Sequence, residues 1–563
     1  MATSSKTRAS RQSYVSPRQG VLPCFELPFS GQLSPDNRWV VLAGKLPWDI
    51  LVTIYRKQMR NNHTGAGGIN PRVVLGALII KHICDLSDRE TIQQIRENVY
   101  MQYFIGYSGF SSAAPFDSSL FVELRCRLGI EQINAINERI IQYVEAQNAV
   151  SQPASSVNTK ANPERLQDAK QPDKMTDTAA PVVEAPTVIS GSVSEAKEVS
   201  ASPPEKDKNK SRKNQKTSTD SPPGRGRMII DATVCPQDIS YPTDLNLLHD
   251  ARQKSEELID LLYDPLLHGK KPRTYRRKAR KLYLNEAQKK SSTSRAIRKA
   301  NKKQLNFLKR NIGHIHRLLD KHQGIPLDRK QYKYLLVIQT VYDQQAAMYI
   351  QGLKRIDDRI VSIHQPHVRP MVRGKRNAKV EFGSKIQVSL MNGFSFLDDL
   401  AWDAFNEGTR LMASVEKYKT RFGYYPAEVL ADKIYCTREN RKLLKGKEIK
   451  LRAKPLGRPG LTEAVENHVR PGERNPIEGV FGQGKTAYGM NRIKARLSHT
   501  SGSWIATILL VINLVKITGL VCRALKLTEC TFSAWVFEFL EYLQGAKPTK
   551  IRRCIVLSHP AAD

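Results

Sequence analysis

Three carboxylate residues have the positions of a metal site for phosphodiester chemistry. Asp231 and Asp432 each end a short apolar run that predicts a strand, and Glu478 lies on a helix predicted after the second run. Carboxylates at adjacent strand ends can converge, and such oxygen ligands suit Mg²⁺ or Mn²⁺. Two such ions about 4 Å apart would activate a water or a 3′-hydroxyl for in-line attack on a phosphodiester.

Each of these acids also has a structural alternative. A strand-end Asp often forms a turn or caps a helix, and Asp238 or Asp244 could take the place of Asp231. Asn475 and Pro476 can begin the last helix, which would put Glu478 at its third position, where capping alone explains an acid.

Two cations share a predicted helix face with Glu478. Arg474 lies four residues before it and Lys485 seven residues after it, and offsets of four and seven fall on one face of a helix. They could pair with Glu478, but an exposed helix pair contributes only about 0.3–0.5 kcal/mol. The other interpretation is a phosphate clamp, with Arg474 forming two parallel hydrogen bonds and Lys485 acting as a point charge.

The composition of the 563-residue chain indicates a polyanionic partner. The formal net charge is +35, from 89 Lys and Arg against 54 Asp and Glu. Self-repulsion on this scale favours binding to nucleic acid or to an anionic membrane. The one long apolar run, Trp504–Cys522, contains Asn513 and Lys516, so it predicts a buried helix and no membrane association.

Other classes of site and location have little support in the sequence. The eight cysteines include no C-x-x-C pair, so neither a disulfide framework nor a cysteine zinc site is predicted. The first twenty residues are basic without a following apolar core, which argues against a secretory signal and predicts a cytoplasmic protein.

The composition divides the chain at a linker. Residues 151–227 are rich in Ser, Pro and Lys and contain no Phe, Trp or Tyr, so we expect a disordered segment. Residues 1–20 are expected to form a flexible basic tail, and residues 526–563 a C-terminal helix and tail.

Residues 21–150 predict a separate all-α domain. Asn70 and Pro71 begin one helix, and Ser87 and Glu90 have capping-box spacing at the start of the next. Two short helices around a tight turn in a basic protein suggest a helix-turn-helix domain that binds DNA ends. A bundle for packing or dimerisation is the alternative, because no base-reading residue can be identified.

Residues 228–525 predict a mixed α/β domain with an insertion. A strand around Asp231, a hairpin with Asn392-Gly393 at its turn, a helix, a strand before Asp432 and a further strand give a mixed sheet flanked by helices. The insertion, at about residues 245–365, is helical and very basic. Between Lys270 and Arg310 there are 17 Lys or Arg and one acid, which favours phosphate contact over simple solvation. The DNA-phosphate residues predicted there are Arg276, Arg277, Lys278 and Arg280.

The segments "IIDAT", "ISYPTDLNLL", "EFGSKIQVS", "VLADKIY" and "ERNPIEGVFGQGKTAYG" closely resemble the DDE transposases of bacterial insertion sequences, which have an RNase H-like core. The most specific element is the spacing of Arg474, Glu478 and Lys485. The resemblance implies that Asp231, Asp432 and Glu478 bind the metal ions and that the two cations hold DNA phosphates near the cut.

Two features depart from the family pattern. The fuller signature has a tyrosine three residues before the arginine, where this chain has Pro471. Related cores often carry their insertion between the second Asp and the Glu, an interval of only 46 residues here (478 minus 432).

The resemblance implies a DNA transposase that binds the ends of its insertion sequence, hydrolyses the phosphodiester there and transfers the 3′-hydroxyl strand to target DNA. It would use Mg²⁺ or Mn²⁺, two ions in all, and act on double-stranded DNA as a homodimer or higher assembly in a bacterial cytoplasm. The alternative is a non-catalytic DNA-binding protein derived from such an enzyme.

Overall fold

The computed structural model describes residues 33–57, 68–150, 224–324, 326–372, 380–454 and 472–519. The predicted tail, nearly all of the predicted linker, Pro471 and the predicted C-terminal helix and tail lie outside these ranges.

The N-terminal part of the described chain is helical. Its helices are α1 (Arg38–Lys45), α2 (Trp48–Lys57), α3 (Pro71–Ile83), α4 (Asp88–Glu97), α5 (Val99–Phe104), α6 (Leu120–Arg127) and α7 (Ile130–Val150). As predicted, the side chain of Asn70 caps α3 by accepting a hydrogen bond from the backbone nitrogen of Arg72. The Ser87 hydroxyl caps α4 in the same way.

The two helices around the tight turn differ in exposure. Almost every residue of α3 is buried, including Lys81 and His82. On α4, by contrast, Arg89, Gln93 and Arg96 face solvent. If this pair contacts DNA, as the helix-turn-helix prediction holds, α4 is therefore the helix with a side available for it.

Six strands form one mixed sheet. They are β1 (Arg227–Pro236), β2 (Arg369–Val372), β3 (Val380–Met391), β4 (Phe394–Ala401), β5 (Glu428–Leu430) and β6 (Lys450–Arg452). The order is β2-β3-β1-β5-β6, and β4 also pairs with β3. β1 is antiparallel to β3 and parallel to β5, which is parallel to β6. The predicted RNase H-like mixed sheet is confirmed.

The hairpin β3–β4 has the predicted turn. Asn392 and Gly393 both have positive φ angles, +49° and +79°, as a two-residue turn of this kind requires.

The first strand is longer than predicted, so the expectation that it ends at Asp231 was wrong. β1 continues to Pro236, because residues 232–236 pair in register with β3. Asp231 therefore lies in the middle of β1, opposite Val388.

The predicted insertion forms a helical arm. We call α8–α12 the arm; its helices are α8 (Asp244–Leu262), α9 (Pro265–His268), α10 (Arg276–Ala287), α11 (Ser294–Leu319) and α12 (Arg329–Gln351). Apolar side chains of α8, α11 and α12 form a hydrophobic core of the arm's own. At its base, Arg359 forms an ion pair with Asp244, which also accepts a hydrogen bond from Gln345 at 2.9 Å.

The arm leaves and rejoins the sheet at neighbouring points. Pro236 at the end of β1 and Arg369 at the start of β2 are both paired with Gly383 of β3. A side chain at Gly383 would overlap with the carbonyl oxygen of Cys235. Glycine is therefore required where these segments meet.

Four further helices complete the described fold: α13 (Leu411–Phe422), α14 (Arg438–Gly446), α15 (Asn475–Ala487) and α16 (Ser498–Gly519). Among the described residues, α16 alone is long and apolar enough to cross a membrane, but 83% of its apolar window is buried inside the protein. It is a core helix, as predicted from Asn513 and Lys516.

The N-terminal helices and the sheet share one hydrophobic core, which α16 joins. Asn513 of α16 donates hydrogen bonds to Asn137 of α7, at 2.9 Å, and to the carbonyl oxygen of Ser395 on β4, at 2.8 Å. The boundary that we predicted near residue 150 therefore divides segments of chain and not hydrophobic cores. A separate all-α domain was expected because the contacting segments lie on opposite sides of the linker, far apart in the sequence.

Candidate active site

The sheet brings two of the three predicted acids together. β1 and β5 are parallel with Ile229 opposite Leu430, so the residues two positions further on, Asp231 and Asp432, lie at the same level of neighbouring strands. Asp231 accepts a hydrogen bond from the backbone nitrogen of Ala232 at 2.8 Å. Asp432 lies beyond the end of β5 and caps a short 3-10 turn by accepting one from Lys433 at 2.7 Å.

Arg474 joins the two aspartates. Its Nη2 atom donates to Oδ2 of Asp231 at 3.1 Å, and its Nη1 atom lies 3.4 Å from Oδ1 of Asp432. The side chains of Arg474 and Asp231 are about one-fifth exposed, whereas that of Asp432 is half exposed. The predicted alternative, pairing of Arg474 with Glu478, is not among the ion pairs of the described residues.

Glu478 is not part of this arrangement of Asp231, Asp432 and Arg474 in the described residues. Its helix, α15, packs against β1 and β3 and begins directly after Arg474. Glu478 is the fourth residue of α15 and is exposed. Offsets of four place it on the Arg474 side of the helix. The capping alternative placed Glu478 at the third position of the helix. Because Glu478 is at the fourth position, a capping role explains it less well.

Asp231 has a strongly perturbed pKa. Burial raises the pKa of this carboxyl group to about 6, and the acids Glu407 and Asp432 add to the rise. The backbone hydrogen bond from Ala232 and the charge of Arg474 oppose it. A carboxylate desolvated in this way is stabilised in its charged form by a nearby cation, here the guanidinium of Arg474.

Sequence reasoning missed three residues around Asp231. Tyr435 is fully buried, its hydroxyl has no partner among the described residues, and burial together with Glu407 and Asp231 raises its pKa. Glu407 pairs with Lys385 at 2.8 Å. Tyr435 lies three residues after Asp432, but nothing in the sequence around Glu407 or Lys385 distinguishes them from surface charges.

The two aspartates fit a divalent cation. Each turns a carboxylate oxygen towards the same positively charged group, the guanidinium of Arg474. Within the described residues, however, no group of three His, Cys, Asp or Glu side chains is gathered for a metal ion. The described structure thus brings two of the three predicted carboxylates together, while Glu478 lies one helical turn from Arg474.

The predicted phosphate-binding residues of the arm differ in their surroundings. Arg277, Lys278 and Arg280 are exposed on α10. Arg276, in contrast, donates two hydrogen bonds to the carboxylate of Asp260, at 3.0 and 2.9 Å. Lys485 of α15 is half-buried.

A cavity of about 840 Å³ lies between the arm and the edge of the sheet, apart from these acids. Its lining mixes cations, acids and apolar side chains, among them Glu286, Arg359 and Phe382. This mixture selects no class of ligand.

Comparison with known families gives two matches, on either side of the linker. Residues 429–515 match the family model "Transposase DDE domain", and residues 28–127 match "Transposase domain (DUF772)". The first match contains Asp432, Arg474, Glu478 and Lys485, but it begins after Asp231. The resemblance drawn from the sequence motifs is confirmed.

A relative among the curated proteins is similar over part of the chain. The "Uncharacterized protein ORF8 in nfe locus" of Rhizobium meliloti is 29% identical over 156 residues, which is 27% of this chain and 73% of that protein. No solved structure gives a significant match.

Proposed function

We infer that this chain, a DDE transposase of the insertion-sequence type, binds the ends of its element, hydrolyses a phosphodiester there and transfers the freed 3′-hydroxyl strand to target DNA. One observation carries the proposal: Asp231 and Asp432 converge on a single cation, Arg474, at the start of the helix that bears Glu478.

Asp231 and Asp432 would hold Mg²⁺ or Mn²⁺, and Glu478 would complete the site. Bound there, two ions would activate the attacking oxygen and neutralise the leaving oxygen. Arg474 and Lys485 would grip DNA phosphates beside the aspartates, since a guanidinium forms two parallel hydrogen bonds with a phosphate and an ammonium acts as a point charge.

Double-stranded DNA would lie along the arm and the N-terminal helices. Arg277, Lys278 and Arg280 would contact its phosphates, while Asp260 already neutralises much of the charge of Arg276. The N-terminal helices would bind the element ends. Because two ends must be joined, we expect a homodimer or higher assembly in a bacterial cytoplasm.

The test is cleavage of a duplex that carries the element's ends, with Mg²⁺. Asp432→Asn keeps the shape of the side chain and removes its charge, so we expect cleavage to be lost and DNA affinity to stay within about twofold. Asp357→Asn, at an exposed acid of the loop after the arm, is the matched control and should cleave normally.

Unchanged cleavage by the Asp432→Asn variant would refute the assignment. If instead the unaltered protein binds the duplex but never cuts it, the chain is a DNA-binding protein without transposase chemistry.

A further inference from the structure

Arg474 occupies both aspartates at once. The oxygen atoms that it binds, Oδ2 of Asp231 and Oδ1 of Asp432, lie 3.1 and 3.4 Å from its two terminal nitrogen atoms. One guanidinium thus offsets one of the two negative charges that the carboxylates carry when both are ionised.

A guanidinium and a divalent ion cannot share these two oxygen atoms. They would be like charges a few ångströms apart, in a place where Asp231 and Arg474 are only about one-fifth exposed and water screens poorly. The desolvated carboxylate of Asp231 needs one cation, but the two candidates compete for it.

The same guanidinium is suited to a DNA phosphate. Arginine binds phosphate through two parallel hydrogen bonds, and Arg474 directly precedes α15, four residues before the exposed Glu478. Its ε nitrogen is buried and has no partner among the described residues, so its bonds to the aspartates leave one of its donors unused. If the guanidinium of Arg474 moved to a phosphate, two charge-assisted hydrogen bonds to the phosphate would replace its contacts with Asp231 and Asp432.

We propose that Arg474 is an internal counter-ion that keeps divalent metal off Asp231 and Asp432 until a DNA phosphate draws it away. This inference rests on the proposed function, because it assumes that these aspartates are the metal ligands. Its consequence is that DNA and metal bind cooperatively: each ligand strengthens the binding of the other by the same factor.

The test is Mn²⁺ binding to the full-length protein, measured through the electron paramagnetic resonance signal of the Mn²⁺ that stays free in solution. Without DNA, Arg474→Gln should bind Mn²⁺ about tenfold more tightly than the unaltered protein, within the range usual for coupled sites. Arg492→Gln, at an exposed arginine paired with Asp238, is the matched control and should leave Mn²⁺ affinity unchanged.

A short DNA duplex provides the second arm of the test. It should tighten Mn²⁺ binding by the unaltered protein and have little effect on the Arg474→Gln variant. Arg474→Lys serves if the first variant fails to fold: one ammonium cannot bridge both carboxylates in the same planar manner, so its Mn²⁺ affinity should be intermediate. Equal or weaker Mn²⁺ binding by both variants would overturn the counter-ion role.

The Asp432→Asn variant separates the two proposals. If it loses Mn²⁺ binding while the Arg474 variants behave like the unaltered protein, the metal site stands and the counter-ion role fails. If it binds Mn²⁺ as well as the unaltered protein does, the metal is held elsewhere, and both proposals fail.

Discussion

At the scale of single residues, the surroundings of His249 link the stability of the arm to pH. Nδ1 of His249 accepts a hydrogen bond from the Arg252 guanidinium at 3.0 Å, and its ring stacks on Tyr283 with centroids 3.6 Å apart. Burial, helped by the charges of Arg252 and Arg280, lowers the pKa of His249 to about 4. The folded arm therefore holds this imidazole neutral.

We expect acid to destabilise the arm through this residue. Between about pH 6.5 and pH 4 the unfolded chain binds a proton at His249 that the folded chain does not, so stability falls as the pH falls. His249→Phe keeps a ring against Tyr283 and removes the titration. Its melting temperature should drop less between pH 7 and pH 5 than that of the unaltered protein, in differential scanning calorimetry.

His367, whose pKa burial also lowers to about 4, remains in that variant, so the pH dependence should shrink without vanishing. An equal drop in melting temperature for both proteins would show that His249 titrates alike in the folded and unfolded chains.

At the scale of elements, the arm is a helical body whose outer faces are cationic. The inward side of α11 is apolar, with Leu308 and Ile315 fully buried, whereas Lys299, Lys302 and Lys309 are exposed on its outer side. α10 covers part of α11, and its one fully buried side chain is Ala279. The basic run predicted from sequence is thus mostly on the surface, as phosphate contact requires.

Neutralising three exposed cations of α10 should weaken DNA binding in a salt-dependent way. With Arg277, Lys278 and Arg280 all changed to Gln, the plot of log affinity against log salt concentration should flatten by roughly two to three, since each phosphate contact contributes about 0.9. Fluorescence anisotropy over a salt series measures this slope.

The matched control replaces Arg329, Lys330 and Lys333, three exposed cations of α12, by Gln. An equal change in slope for both triple variants would mean that net charge, and not a contact along α10, sets the affinity.

At the scale of the whole molecule, the N-terminal helices pack around Trp504 of α16, a helix that also binds β4 through Asn513. Nζ of Lys81 and the guanidinium of Arg125 lie 4.8 and 5.2 Å from its ring centroid, and both cations pair with Asp88. The ring of His82 packs against it edge-on. Helices α3 and α6 thus meet α16 at one buried indole, and α4 supplies the carboxylate that pairs with both cations.

Because the core is continuous, the N-terminal helices and the sheet should unfold together. Trp504→Leu should lower the free energy of unfolding by about 2–4 kcal/mol, as losses of large buried side chains do. Hydrogen exchange followed by mass spectrometry in urea should give α3 and β1 the same midpoint in both proteins. An earlier midpoint for α3 alone would show that the N-terminal helices fold independently.

What the sequence could predict is local. Asn70 with Pro71 and Asn392 with Gly393 identify a helix start and a hairpin turn because the signal lies within a few residues. Three other features depend on segments that lie far apart in the chain. They are the pairing of residues 232–236 with β3, the shared core that includes Trp504, and the ion pair of Arg474 with Asp231. The three acids remain predictions from the sequence, whereas the contact of Asp231 and Asp432 with Arg474 and the neighbouring Tyr435 and Glu407 required the fold.

The meeting of Pro236 and Arg369 opposite Gly383 bears on how such proteins diversify. More than a hundred residues separate Pro236 from Arg369, yet both residues pair with the same residue of β3. The length and sequence of the segment between them can therefore change while β1 keeps its register. One arm could replace another, and with it the surface that we propose binds DNA, without moving Asp231 within β1. Grafting an arm from a distant relative at these two positions would reproduce such an exchange in the laboratory.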